Sequence, residues 1–172
     1  MAGTPDVTVA AVVETAGRFL LVEERINRRR VLNQPAGHVE RGETLLAAVV
    51  REALEETAWR FRPQALVGVY LWRNPHSGRS ILRFAFSGSV SGHDATQRLD
   101  HGIVRTHWLT QAQLEERTEQ LRSPLVLRCV QDYLGGRCHA LDGVAELDLR
   151  GAASLTASVA AAAGPAVTAI AL

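Results

Sequence analysis

Gly37-His38-Val39-Glu40-Arg41-Gly42-Glu43, followed after seven residues by Arg51-Glu52-Ala53-Leu54-Glu55-Glu56, is the stretch that decides how this chain is read. On a helix, Glu52, Glu55 and Glu56 stand at i, i+3 and i+4 and share one face. With Glu52 at zero, a 3.6-residue turn puts Glu55 at about 300° and Glu56 at about 40°. Leu46, Ala47, Val50, Ala53 and Leu54 gather between about 100° and 220°, an arc suited to packing on a sheet. The pattern predicts a helix over residues 44–57, buried on that apolar side and acidic on the other. Carboxylates this close repel one another unless a positive charge sits between them. A hard divalent cation with oxygen ligands meets that demand, whereas a merely solvated acidic face needs none. Metal-assisted chemistry on phosphates is the expectation.

Strand signals surround the helix. Val7–Val13 and Phe19–Glu23 read as strands joined by a turn at Ala16-Gly17, and Arg25–Arg30 reads as a polar loop. Ala65–Trp72 and Ser80–Ser87 form a predicted hairpin around Asn74-Pro75 and Ser77-Gly78. Gly102–Leu109 alternates like another strand. Thr110 and Gln113 form a capping box that predicts a helix of about ten residues. Ser123 is the expected N-cap of a last helix, with Pro124 in its first turn. Mixed strands with helices on both sides give an α/β/α layered domain.

Gly37, Glu43, Arg51-Glu52 and Glu55-Glu56, at these spacings, resemble the Nudix box, the signature of hydrolases that act on nucleoside diphosphates linked to another group. Further segments are similar to the NudJ-type phosphatases of that family: Val7-Thr8-Val9-Ala10, Val22-Glu23-Glu24, Asn33-Gln34-Pro35-Ala36-Gly37-His38, Leu82-Arg83-Phe84 and Leu121-Arg122-Ser123-Pro124-Leu125-Val126. The resemblance spans roughly residues 6–146 and implies a Nudix-type α/β/α sandwich with a mixed sheet. It implies that Glu52, Glu55 and Glu56 bind Mg2+ or Mn2+. Gly37 would permit a tight loop and lend its carbonyl to the metal. Glu43 would steady the loop or bind metal indirectly, and Arg51 would hold the glutamates by charge-assisted hydrogen bonds. Glu55 is the first choice for activating water, with Asp100 on a later loop the other acid to consider. Arg83 and His38 are the candidate substrate contacts. Ala58 stands where the family has glycine, which matters if the helix ends in a left-handed cap.

Composition supports a single catalytic domain over residues 1–150. The chain has 172 residues, 47% of them hydrophobic, which suffices for one sizeable core. A net charge of +1 argues against binding nucleic acid through a broad basic field. All 19 basic residues are arginine, which points to a GC-rich bacterial genome. Cys129 and Cys138 form neither a metal spacing nor a disulfide framework, and the N-terminus carries no signal core. A cytoplasmic monomer without membrane contact is the expectation. Residues 151–172 are alanine-rich and uncharged, and read as a disordered tail. Arg28-Arg29-Arg30 reads as a solvated loop, and His76, His93, His101, His107 and His139 as surface residues.

The expected reaction is Mg-dependent hydrolysis of nucleoside tri- and diphosphates and of thiamine-pathway pyrophosphates, with release of orthophosphate. The alternatives are a Nudix pyrophosphohydrolase of another specificity (dinucleoside polyphosphates, nucleotide sugars or oxidised nucleotides) and a catalytically silent nucleotide-binding regulator.

Overall fold

The hub of the molecule is β1 (Asp6–Thr15), whose residues from Thr8 to Val13 are all buried, so both of its faces are covered. In the computed structural model, which describes residues 4–75 and 77–145, β1 pairs in parallel with β6 (Ser80–Ser91) and antiparallel with the short β4 (Ala36–His38). Its far end pairs with β2 (Arg18–Ile26) through the turn at Ala16 and Gly17, both at positive φ. On the outer side of β2 lie β3 (Arg29–Asn33) and β7 (Ile103–Leu109), and β5 (Arg60–Arg73) forms a long hairpin with β6. The seven strands make one mixed sheet of order β3-β2-β1-β6-β5, with β4 on β1 and β7 on β2. Helix α1 (Leu45–Thr57) packs on β1, β4 and β5. Helix α3 (Leu125–Leu134), beside the short α2 (Gln111–Glu115), covers a core of Val12, Phe19, Leu21, Leu32, Val67, Ala85 and Leu109. Each fully buried Leu, Val or Phe there contributes about 1.5–3 kcal/mol. This is the expected α/β/α sandwich.

Five local expectations are corrected. Residues 25–30 are not a loop: β2 runs on to Ile26 and turns through Asn27 and Arg28, both at positive φ, into β3. A hairpin turn of that hand normally places glycine second, and Arg28 conceals it. The β5–β6 hairpin begins earlier and ends later than its periodicity suggests, because Pro63 interrupts the pattern yet is tolerated on an edge strand. The Thr110–Gln113 capping box is present, but α2 has five residues, not ten. The chain leaves it early to lay Leu121 beside Leu32, where the Arg122 N–H donates to the Leu32 carbonyl at 2.8 Å. Ser123 does not cap α3; its hydroxyl makes no capping bond, and Pro124 takes the cap position.

The fifth correction concerns α1. Thr44 caps it, accepting from the Ala47 N–H at 3.0 Å, and Ala58 closes it in the left-handed region at φ 58°. Its buried residues, however, are Ala48, Val49, Glu52, Ala53, Glu56 and Thr57. The helix turns two of its glutamates inward, and of the predicted apolar arc only Ala53 is fully buried. Backbone contacts divide the chain after Leu141, and nearly all of the following unit, including residues 151–172, lies outside the described residues.

Candidate active site

Arg51 organises the glutamates. Its Nε and Nη2 donate to the two oxygens of Glu43 at 2.8 and 2.9 Å, a bidentate pair. Its Nη1 reaches Glu52 at 2.8 Å and Glu55 at 3.0 Å, and Nη2 also donates to the His38 carbonyl at 3.0 Å. One guanidinium thus binds three carboxylates and the box loop. The second Glu43 oxygen also accepts from the Glu40 N–H at 3.1 Å, which closes the loop. The pairing with Arg51 holds the Glu43 carboxyl below its ordinary range, against the opposing effect of burial.

The inward glutamates behave differently. Burial raises the pKa of Glu52, with Arg51 opposing and Glu55 and Asp100 adding repulsion. Glu56 is pushed up to about 8, chiefly by burial; the Ala36 N–H, donating at 2.8 Å, opposes this, while Glu24, Glu52 and Asp100 add to it. Asp100 is brought to this cluster by its own N–H, which donates to the Glu55 carbonyl at 2.9 Å. A nearby cation would favour the ionised form of Glu56. Among the described residues no three acidic or imidazole groups already converge as a metal centre. The all-oxygen donor set nonetheless suits a hard divalent ion. Gly37 does not take a left-handed conformation and lies in β4; a Cβ there would collide with the Glu52 carboxylate and displace it, so glycine lets that carboxylate lie against the strand.

Behind β4 lies a cavity of about 260 Å3, whose walls include Thr8, Glu24, Asn33, Gly37, His38, Arg83 and Ser123. It shares Trp72, Asn74, Arg122 and Ser123 with an open groove of about 550 Å3 that runs along α3 past Leu121 and Leu127. Arg83 is 5% exposed, and burial lowers its pKa. Strand β4 is the wall between the two regions: Ala36 binds Glu56, Gly37 abuts Glu52, and the His38 carbonyl binds Arg51.

The NUDIX domain family matches residues 4–129. The phosphatase NudJ of Escherichia coli is 37% identical over 144 residues, covering 84% of this chain and 93% of that protein. A solved NUDIX hydrolase from Nitrosomonas europaea superposes with a TM-score of 0.83 at 43% identity, over 85% of this chain and 99% of that one. The chain belongs to the Nudix family. It is a hydrolase acting on phosphorus-containing anhydrides. A UDP-X diphosphatase, with a TM-score of 0.65 at 20% identity over 78% of this chain and 66% of that one, shares the fold.

In this Nudix hydrolase the sequence-predicted residues fall into two groups. Glu43, Arg51, Glu52 and Glu55 meet directly, with Gly37 and Glu56 beside them, while Arg83 and the exposed His38 line the cavity. Thr8, Glu24, Asn33 and Ser123 also line it; none of them is a site candidate from the sequence, although each lies in a segment that carries the resemblance. The arginine run is not gathered at the site: Arg29 and Arg30 lie in β3, and Arg30 binds Glu23 at 3.0 Å. Glu23 also accepts from Arg105 at 2.8 Å and contacts His107 at 2.9 Å. The hydrogen bond to His107, followed by those to Arg105 and Arg30, holds the Glu23 carboxyl at about 2 against burial. His107 is thus part of a structural hydrogen-bond cluster around Glu23, and the His93 ring packs against Trp59, tilted by 44° with centroids 4.7 Å apart. His76 lies outside the described residues.

Proposed function

We propose that this Nudix hydrolase is a Mg-dependent phosphohydrolase that releases orthophosphate from nucleoside tri- and diphosphates and from thiamine-pathway pyrophosphates. Its likeness to a protein named as a phosphatase supports the orthophosphate product. The observation that supports the hydrolytic reading is the gathering of Glu43, Glu52 and Glu55 on Arg51, with Glu56 turned inward beside them, an oxygen-rich cluster whose ionisation a bound cation would favour.

Glu52, Glu55, Glu56 and the Gly37 carbonyl would hold Mg2+, with Mn2+ the other candidate. When bound, such an ion supplies charge neutralisation at the phosphoryl oxygens and a more acidic water. Glu55 is the general base in this reading, because it is the most exposed of the three, with 46% of its side chain accessible, and is held by Arg51 at one oxygen. Arg51 and Glu43 are positioning residues that fix the direction of the glutamates. Arg83 and His38 contact the part of the substrate that does not react. The working unit is a cytoplasmic monomer with its catalytic domain within residues 1–150, and no helix among the described residues is long and apolar enough to cross a membrane.

The test is release of orthophosphate and pyrophosphate by the purified chain from nucleotides and thiamine-pathway pyrophosphates, with and without Mg2+. Magnesium-dependent orthophosphate release that falls at least 100-fold (~2.7 kcal/mol) in Glu55→Gln and Glu56→Gln is expected. Pyrophosphate with a monophosphate as products would retain the Nudix chemistry and reject this substrate assignment. Nucleotide binding without turnover would reject the enzymatic mechanism itself.

A further inference from the structure

A separate cavity, of about 280 Å3, opens among β2, β3, β7 and the turn that follows α2, and its walls include Glu23, Arg30, Arg105, His107, Arg117 and Gln120. It shares no residue with the Arg51 cluster or with the cavity that holds Arg83. Strand register explains how it forms. Glu23 stands opposite Arg105 on β7 and opposite Leu32 on β3, and Arg30 lies two residues from Leu32 on the same face. Arg25 stands directly opposite Arg30, a like-charge pair that a sheet tolerates poorly without a neutralising partner.

The one carboxylate in these walls is buried and fully engaged. One Glu23 oxygen accepts from Arg30 Nη1, and the other accepts from Arg105 Nε and contacts His107 Nε2. Each arginine gives it a single N–H group, and no protein acceptor takes the rest. Among the described residues, Arg30 Nε and Nη2, both Arg105 Nη atoms and the whole Arg117 guanidinium have no partner. Glu116 and Glu119, the acids beside Arg117 in sequence, form no ion pair with these arginines. Three positive charges against one negative leave a surplus of two, so the cavity lacks an anion. Glu23 also holds two of the guanidinium forks in place, so an oxyanion would meet donors that are already ordered. At about 280 Å3 the space falls below the ~300–1,000 Å3 of sites that enclose drug-sized ligands, which suits a small ion over a whole nucleotide.

We propose that this cavity is an anion site apart from the catalytic one, and that it binds a small dianionic ion of the phosphate class through Arg30, Arg105 and Arg117. The ion ties the turn that carries Arg117 and Gln120 to β3 and β7. Leu121, the next residue, bridges to Leu32, so the ion reinforces the pairing that brings the chain back to β3. The site requires neither Mg2+ nor turnover and stands independently of the hydrolytic reading.

The test is calorimetry of the full chain with inorganic phosphate, without Mg2+, at mildly alkaline pH and at an ionic strength held constant with chloride. Saturable phosphate binding is expected. Arg117→Gln leaves the Glu23 pairings intact and should weaken that binding by about tenfold or more, with the melting temperature in chloride alone unchanged. Phosphate should raise the melting temperature of the wild type more than that of the variant. Arg83→Met should keep the wild-type phosphate affinity, and AMP should bind at least about tenfold more weakly than phosphate. Absent phosphate binding, or binding unchanged in both Arg117→Gln and Arg105→Gln, overturns the site. Binding lost in Arg83→Met alone moves the phosphate to the other cavity and overturns it equally. AMP binding as tight as phosphate, with the same dependence on Arg117, overturns the restriction to a small ion.

Discussion

Arg51 and Arg83 carry the same side chain and do opposite things. Arg51 uses its guanidinium inside the protein, on Glu43, Glu52, Glu55 and the His38 carbonyl. Arg83 is more deeply buried and leaves Nε and Nη1 without a partner. The first is part of the scaffold that orders the glutamates, and the second is, in the function proposed above, the one that meets the substrate. A buried cation is costly unless paired, so Arg83 is expected to cost stability in the free protein.

The contrast is best broken by removing each in turn. Arg51→Ala leaves three carboxylates mutually repelling and is expected to lower stability by about 2–4 kcal/mol, measured by urea unfolding without Mg2+. Phosphate release should fall with it, because the glutamates lose their orientation. Arg83→Met is expected to lower kcat/KM by about 10–100-fold while leaving stability unchanged or raising it by about 1 kcal/mol, since an unpaired buried charge gives way to an apolar chain of similar length. A loss of stability comparable to that of Arg51→Ala would mean Arg83 is structural. The smallest effect sharpens the scaffold side. Ala58 ends α1 at φ 58°, so Ala58→Gly should stabilise by about 0.5 kcal/mol or less, the relieved backbone being partly offset by the loss of a buried methyl. Thermal denaturation with activity unchanged would confirm it.

The legible features were those that depend on local chemistry. Thr44 and the periodicity after it delimit α1 closely, and Thr110 with Gln113 announces a helix start. Where α2 ends was hidden, because the pairing of Leu121 with Leu32, far apart in sequence, decides it. The orientation of α1 was hidden for a different reason. Hydrophobic periodicity assumes that apolar residues go inward, and here Glu52 and Glu56 are buried while Leu46 and Val50 are only partly so. The glutamates were recognisable because they occupy one short helix and, with Gly37, Glu43 and Arg51, fall at the spacing that resembles the Nudix box. The cavity was not: Thr8, Glu24, Asn33 and Ser123 are unremarkable polar residues until three strands and the approach to α3 bring them to Arg83, which only the family resemblance singles out.

That dispersal separates the two halves of the site in time. Vectorial synthesis releases the segment that forms α1 well before Arg122 and Ser123, so the hydrolytic glutamates emerge ahead of the last wall of the cavity. The same order governs local opening. Releasing the bridge between Leu32 and Leu121, together with the Arg122–Glu24 ion pair, would loosen Arg122 and Ser123 from the cavity while α1 kept its packing on β1, β4 and β5. In a partly opened molecule the glutamate cluster would stay assembled while one wall of the cavity came away.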